Sequence, residues 1–127
     1  MFVHRQKTNG EIFELSYDKN CFIPTATSDF IINACLKNFT SATNLLDLGC
    51  GIGVVGLTLS HFMKIKSLHS SDISEEALNH CIMNSQKHNI SNNIRHGALF
   101  EPWKNEKFDL IVNDISGISE DIANVSP

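Results

Sequence analysis

No apolar run in this 127-residue chain approaches the ~20 residues that a membrane-spanning helix needs. No cationic stretch leading into an apolar one opens the sequence, so secretion is not expected. Cysteine is sparse: Cys21, Cys35, Cys50 and Cys81 lie far apart, without a C-x-x-C pair. Cys35 and Cys81 fall at apolar helix positions, where cysteine acts as a small hydrophobe. The six histidines show no H-x-x-x-H or similar spacing, so no metal is expected. A cationic surplus is also missing. Ten Lys and Arg stand against fourteen Asp and Glu, a net charge of −4, whereas a phosphate-binding surface calls for a basic patch. The only loose cluster, Lys64-Ile65-Lys66, reads as a solvated loop after a helix, so weak nucleic-acid binding is expected. Low-complexity tracts are absent. The 42% hydrophobic content fits one globular domain with one core, and a reducing cytoplasm is the expected compartment.

What is present centres on Leu45-Leu46-Asp47-Leu48-Gly49-Cys50-Gly51-Ile52-Gly53-Val54-Val55-Gly56. Leu45 to Leu48 suits a short, buried parallel strand. The glycines allow a tight turn and close approach to a ligand where a Cβ would clash. Val54 to Met63 resumes an apolar helical pattern. A strand, a glycine turn and a helix N-terminus together make a nucleotide-binding corner. The bare G-x-G-x-x-G match, Gly51 to Gly56, is shared with dehydrogenases and has little selectivity. Asp47, just ahead of it, is more selective, because a carboxylate at the strand end can accept hydrogen bonds from a cationic amine.

This run resembles the first motif of the class I S-adenosylmethionine-dependent methyltransferases, whose cofactor carries an ammonium and a sulfonium. The resemblance covers roughly residues 20 to 117 and points to the small-domain group. It implies S-adenosyl-L-methionine as cofactor, held by Asp47, Gly49, Cys50, Gly51 and Gly53. It also implies a Pro/Thr-containing segment closing over the methionine end of the cofactor, here with Thr25 and Thr27. Those two threonines equally suit an ordinary capped helix entry.

Asp72 ends a second strand, Ser67 to Asp72, 21 residues after Gly51 (72 − 51). An acid about 20 residues past the glycine turn is where ribose hydroxyls bind in this architecture. The alternative role, a helix cap, is already filled by Ser74, with Glu75 and Glu76 in the first turn. Ala77, Leu78, Cys81, Ile82 and Ser85 form the next helical face. Asn92 to Gly97 is a poor third strand, expected at the sheet edge. Ala98 stands where family members often carry an Asp for the adenine amino group, and one missing hydrogen bond is worth roughly 0.5–1.5 kcal/mol. Ile73 and Leu99 are the apolar candidates to flank the adenine ring.

Phe108 to Asn113 is a strong fourth strand. Its end, Asn113-Asp114-Ile115-Ser116, matches only the first position of the [N/D/S]-P-P-[Y/F] tetrad of many amino- and amide-nitrogen methyltransferases. The resemblance makes Asn113 the acceptor-facing residue, while local chemistry equally suits a turn after the strand. Ahead of all this, residues 1–20 read as a hairpin around Thr8-Asn9-Gly10, with strands at Phe2 to Val3 and Glu11 to Leu15. A helix with Thr27 or Ser28 as N-cap follows, with Phe30, Ile31, Ala34 and Cys35 as its apolar face.

The fold expected is α/β: a Rossmann-like parallel sheet with flanking helices and strand order 3-2-1-4, preceded by the hairpin and helix. Residues 21–127 would form the cofactor-binding domain. About three further strands of the full fold are absent, so a truncated methyltransferase domain is expected, with self-association through an open sheet edge. The expected activity is methyl transfer to an amino or amide nitrogen of RNA, protein or a small molecule. Two competing readings are an inactive cofactor-binding or scaffold fragment and an NAD-dependent oxidoreductase.

Overall fold

A computed structural model describes residues 1–21 and 26–114. The chain starts as an antiparallel hairpin, β1 (Phe2–Thr8) and β2 (Glu11–Tyr17), paired from Phe2↔Tyr17 to Thr8↔Glu11. Asn9 (φ 51°) and Gly10 (φ 78°) both take the left-handed conformation, which an Asn-Gly two-residue turn supplies. The ladder is longer than the apolar residues alone predict, because the polar run His4 to Thr8 of β1 also pairs with β2.

Then follow α1 (Ala26–Asn38), β3 (Ser41–Leu48), α2 (Val54–Phe62), β4 (Lys64–Asp72), α3 (Glu75–Lys87), β5 (Asn92–His96) and β6 (Leu110–Asn113). The four later strands form one parallel sheet in the order β5-β4-β3-β6. That is the expected 3-2-1-4 arrangement, with β5 at one edge. Two strand starts differ from those expected. Lys64-Ile65-Lys66 is not a loop but the start of β4, registered against Ser41 and Ala42 of β3. Polar strand ends are invisible to a search for apolar runs. Conversely, β6 starts at Leu110, and Asp109 instead accepts from the Thr43 and Asn44 amides at 2.8 and 2.6 Å.

Alternation along β3 sends Leu45 and Leu46 to opposite faces, both fully buried. On one face Leu45, Leu68 and Val112 meet Ile32 and Cys35 of α1 and Val55, Leu57 and Leu59 of α2. Each such burial is worth about 1.5–3 kcal/mol. The other face is covered by the loop after β5. There Leu46 and Leu48 pack on Trp103 and Phe108, with Trp103 Nε1 donating to Ser71 Oγ at 2.8 Å and Arg95 lying 4.4 Å over the ring.

Two helix faces differ from the expected ones. In α1 the buried residues are Ser28, Ile32 and Cys35, while Phe30 is 74% exposed. Both sets have helical spacing, and only the packing partner decides between them. The helix also starts at Ala26, ahead of the expected caps, and the Ser28 hydroxyl donates to Asp114 Oδ2 instead of closing a helix end. In α3, Ile82 is exposed and the polar His80 and Asn84 are buried in its place. The N-cap is the expected Ser74, whose hydroxyl accepts from the Ala77 amide at 3.1 Å.

Candidate functional site

At the carboxyl ends of β3, β4 and β6 the chain makes its glycine corner. Gly49, Gly51 and Gly53 have φ of 69°, 56° and 100°, a region that L side chains rarely adopt. A Cβ on Gly51 would meet nothing within 4 Å, so that side of the loop is open to a ligand. A Cβ on Gly53 would strike Leu57 at 2.6 Å. Gly56, one turn into α2, has another duty. A Cβ there would lie 2.8 Å from Asp47 Oδ2 and 3.1 Å from Leu68 Cδ1, so this glycine lets the helix pack closely on the sheet.

Asp72 ends β4 beside this corner. Its Oδ2 accepts from the Gly51 amide at 2.8 Å and its Oδ1 from the Ser74 amide at 2.9 Å. A carboxylate oxygen can accept two hydrogen bonds, so this pairing orients Asp72 and leaves it chemically able to take a vicinal diol. Ile73 and Leu99, 71% and 72% exposed, stand at the ends of β4 and of the turn after β5. The two strand ends are tied together by Gly97 N–H donating to Asp72 O at 3.1 Å and by the His96 ring on Ile73 O at 2.9 Å.

Asp47, the carboxylate expected to accept from a cationic amine, lies near the end of β3. It is 1% exposed, below the corner, and its Oδ2 accepts from the Gly56 amide at 2.9 Å. Burial pushes its carboxyl up to about 7, with the Gly56 N–H opposing and the nearby Asp114 and Asp72 carboxylates adding to the rise. Three acids therefore gather at one end of the sheet, a field that favours a cationic ligand. Cys50 turns its side chain into the core, 3.9 Å from Cys81 Sγ, so only its main chain faces the corner. The hydrogen bond with the Cys81 thiol, followed by burial, holds its own thiol well above the ordinary range.

Asn113 pairs with Leu48 in the β3–β6 register. Its exposed side chain reaches over the loop, with Oδ1 3.6 Å from the place a Gly49 Cβ would occupy. Asp114, read from sequence only as a departure from a tetrad, bonds Ser28 of α1. Thr27 is half-buried in the first turn of that helix. Thr25 lies outside the described residues. The hydrogen bonds to Ser28 and Gly56 had no local sequence signal, since their partners are 86 and 9 residues away.

The family model of the methyltransferase small domain matches residues 25–114, from the segment ahead of α1 to the end of β6. The chain belongs to that family. This methyltransferase small domain is the N-terminal portion of a class I S-adenosylmethionine-dependent methyltransferase fold, and the family's cofactor is S-adenosylmethionine. The small domain is 31% identical over 116 residues to the release factor glutamine methyltransferase of Fusobacterium nucleatum, covering 88% of this chain and 32% of that one. It is 29% identical over 107 residues to the ribosomal protein uL3 glutamine methyltransferase of Francisella tularensis, covering 80% and 34%. Among solved structures, the 16S rRNA N2 G1207 methyltransferase of T. thermophilus, in complex with AdoMet and guanosine, superposes with a TM-score of 0.77 at 16% identity, over 88% of this chain and 32% of that one. That likeness shows the fold. The chain spans about a third of the length of these relatives. Among the described residues, no helix is long and apolar enough to cross a membrane, and no group of three or more His, Cys, Asp or Glu is arranged to hold a metal ion.

Proposed function

We propose that this small domain binds S-adenosylmethionine at the glycine corner and serves methyl transfer to an amide nitrogen, the glutamine side chain of a protein being the favoured acceptor. The observation that carries the reading is Asp72, held by two main-chain amides beside a left-handed glycine loop whose outer side is open. A cis-diol offers two donors to such a carboxylate. Exposed Ile73 and Leu99 supply apolar walls for a flat base. The acids around Asp47 suit an ammonium and a sulfonium. Cys50, Gly51 and Gly53 would contribute main chain alone. Thr25, ahead of α1 in the sequence, and Thr27, in its first turn, would close over the methionine end.

When bound, the cofactor supplies an electrophilic methyl on its sulfonium. The task of the protein is then position more than proton transfer. Asn113 Oδ1 over Gly49 suits acceptance of one N–H of an acceptor amide, which would aim the other side of the nitrogen at the methyl. The glutamine-modifying relatives support an amide acceptor, and the net charge of −4 favours a protein over RNA. The four free thiols support a cytoplasmic setting.

Two measurements test the proposal. Calorimetric titration with S-adenosylhomocysteine reads the cofactor site. Transfer of labelled methyl to glutamine-bearing protein, with the remainder of the fold supplied, reads the acceptor. Asn113→Ala is expected to slow turnover tenfold or more at unchanged cofactor affinity, since about 1.4 kcal/mol of lost transition-state stabilisation is a factor of ten. An unchanged rate would remove Asn113 from the acceptor site.

A further inference from the structure

Asn84, on the third turn of α3, is wholly buried although it is polar. Its side chain makes three hydrogen bonds, all to main chain. Oδ1 accepts from the Ser16 amide at 2.7 Å, and Nδ2 donates to Ser16 O and to Ile52 O, both at 3.0 Å. The partners fix the amide's orientation without ambiguity, because an N–H must face the oxygen and carbonyls must face the nitrogen. Both Nδ2 hydrogens are thereby used. Asn84 thus joins three parts of the chain: β2 of the hairpin, α3, and Ile52 inside the glycine loop.

The Ile52 carbonyl belongs to the peptide between Ile52 and Gly53. Gly53 has a φ of 100° and directs its amide onto Cys50 O at 2.9 Å. A peptide that leads into a left-handed glycine could turn over readily if nothing held it, because glycine takes either sign of φ. Asn84 grips its oxygen from the buried side. Reversal of that peptide would turn the Gly53 N–H toward Asn84 Nδ2 and the Ile52 carbonyl toward Cys50 O, donor on donor and acceptor on acceptor, which buried polar groups seldom tolerate.

We propose that Asn84 is a positioning residue for cofactor binding, which locks the Ile52–Gly53 peptide and couples the docked hairpin to the geometry of the glycine loop. This rests on the cofactor reading given above. The hairpin has a second attachment to α3 that avoids the loop: His88 bonds Glu14 O and stacks on Phe13 at 3.9 Å between centroids. The two attachments can therefore be separated by experiment. A residue that only stabilises the fold would behave like His88.

The test compares Asn84→Ala with His88→Ala, each below its melting transition so that all molecules are folded. S-adenosylhomocysteine affinity by calorimetry is expected to fall at least tenfold in Asn84→Ala and to stay within twofold of the parent in His88→Ala. Amide hydrogen exchange at Gly53 without ligand is expected to speed up at least tenfold in Asn84→Ala alone. Where Asn84→Ala does not fold, Asn84→Ser, which keeps a donor for one carbonyl, is read in the same way. Parental affinity in a folded Asn84 variant, or an equal loss in the His88 variant, overturns the assignment. Failure of the parent protein to bind S-adenosylhomocysteine refutes the cofactor reading instead. The Gly53 exchange rates then decide whether Asn84 holds the loop, and equal rates in parent and variant overturn it.

Discussion

Replacing Asp47 by Asn should change how stability depends on pH, and the sign follows from burial. In the folded protein the Asp47 carboxyl is raised from 3.8 to about 7, chiefly by desolvation, with Asp114 and Asp72 contributing. A raised acid holds its proton longer folded than unfolded. Its stabilising contribution is whole below pH 3.8, falls as pH climbs through the window to about 7, and is gone above it. At about 1.4 kcal/mol per pH unit, that window is worth about 4 kcal/mol for so buried a group. Asn keeps an oxygen for the Gly56 amide and cannot ionise. Its NH₂ brings a constant penalty of about 1–3 kcal/mol where it finds no acceptor, so the slope rather than the offset is diagnostic. Urea unfolding of both proteins at half-unit steps from pH 4 to pH 8 gives the stability difference at each pH. Both proteins share every other side chain, so the comparison isolates position 47. The parent should lose several kcal/mol relative to Asp47→Asn between pH 4 and pH 7, with no further change to pH 8. Parallel curves across the window would refute the argument that Asp47 is a desolvated acid.

Two further outcomes are expected. Asp72→Ala should weaken S-adenosylhomocysteine binding by about 1.5–3 kcal/mol, the range for hydrogen bonds to a charged group, and unchanged calorimetric affinity would remove the ribose role. The 127-residue chain should associate through β6, whose outer edge is unpaired among the described residues and carries the 45% exposed Ile111. Sedimentation velocity should show concentration-dependent dimers that Ile111→Lys suppresses, and a clean monomer at high concentration would count against it.

The strand order was legible because it rests on long apolar runs and on the handedness of crossovers, which need no knowledge of contacts. Asp72 and the glycine corner were legible for a related reason: their spacing is itself the geometry. The failures share one physical origin. Phe30 and Ile32 are both apolar on the same helix, and only the position of the sheet and α2 decides which is buried. Ile82 and Asn84 pose the same choice with the polar residue winning, because Asn84 finds backbone partners 68 and 32 residues away. The burial of Asp47 likewise depends on contacts with α2, where its carboxyl accepts from the Gly56 amide. Lys64 to Lys66 became strand because Ser41 and Ala42 offered them a ladder.

Trp103 is the only tryptophan in the chain, and it serves the face of the sheet away from α1 and α2. Its indole is 2% exposed, with Arg95 above it and the His69 and Phe108 rings edge-on at 5.7 and 5.6 Å. The protein therefore carries a built-in optical reporter of one layer. Fluorescence on unfolding follows the aromatic lid, whereas helical circular dichroism follows elements such as α1, α2 and α3. Superimposed transitions would mean that the two layers melt as one cooperative unit. An earlier fluorescence transition would mean that the lid lifts from an intact sheet, exposing Leu46 and Leu48 to whatever apolar surface arrives next.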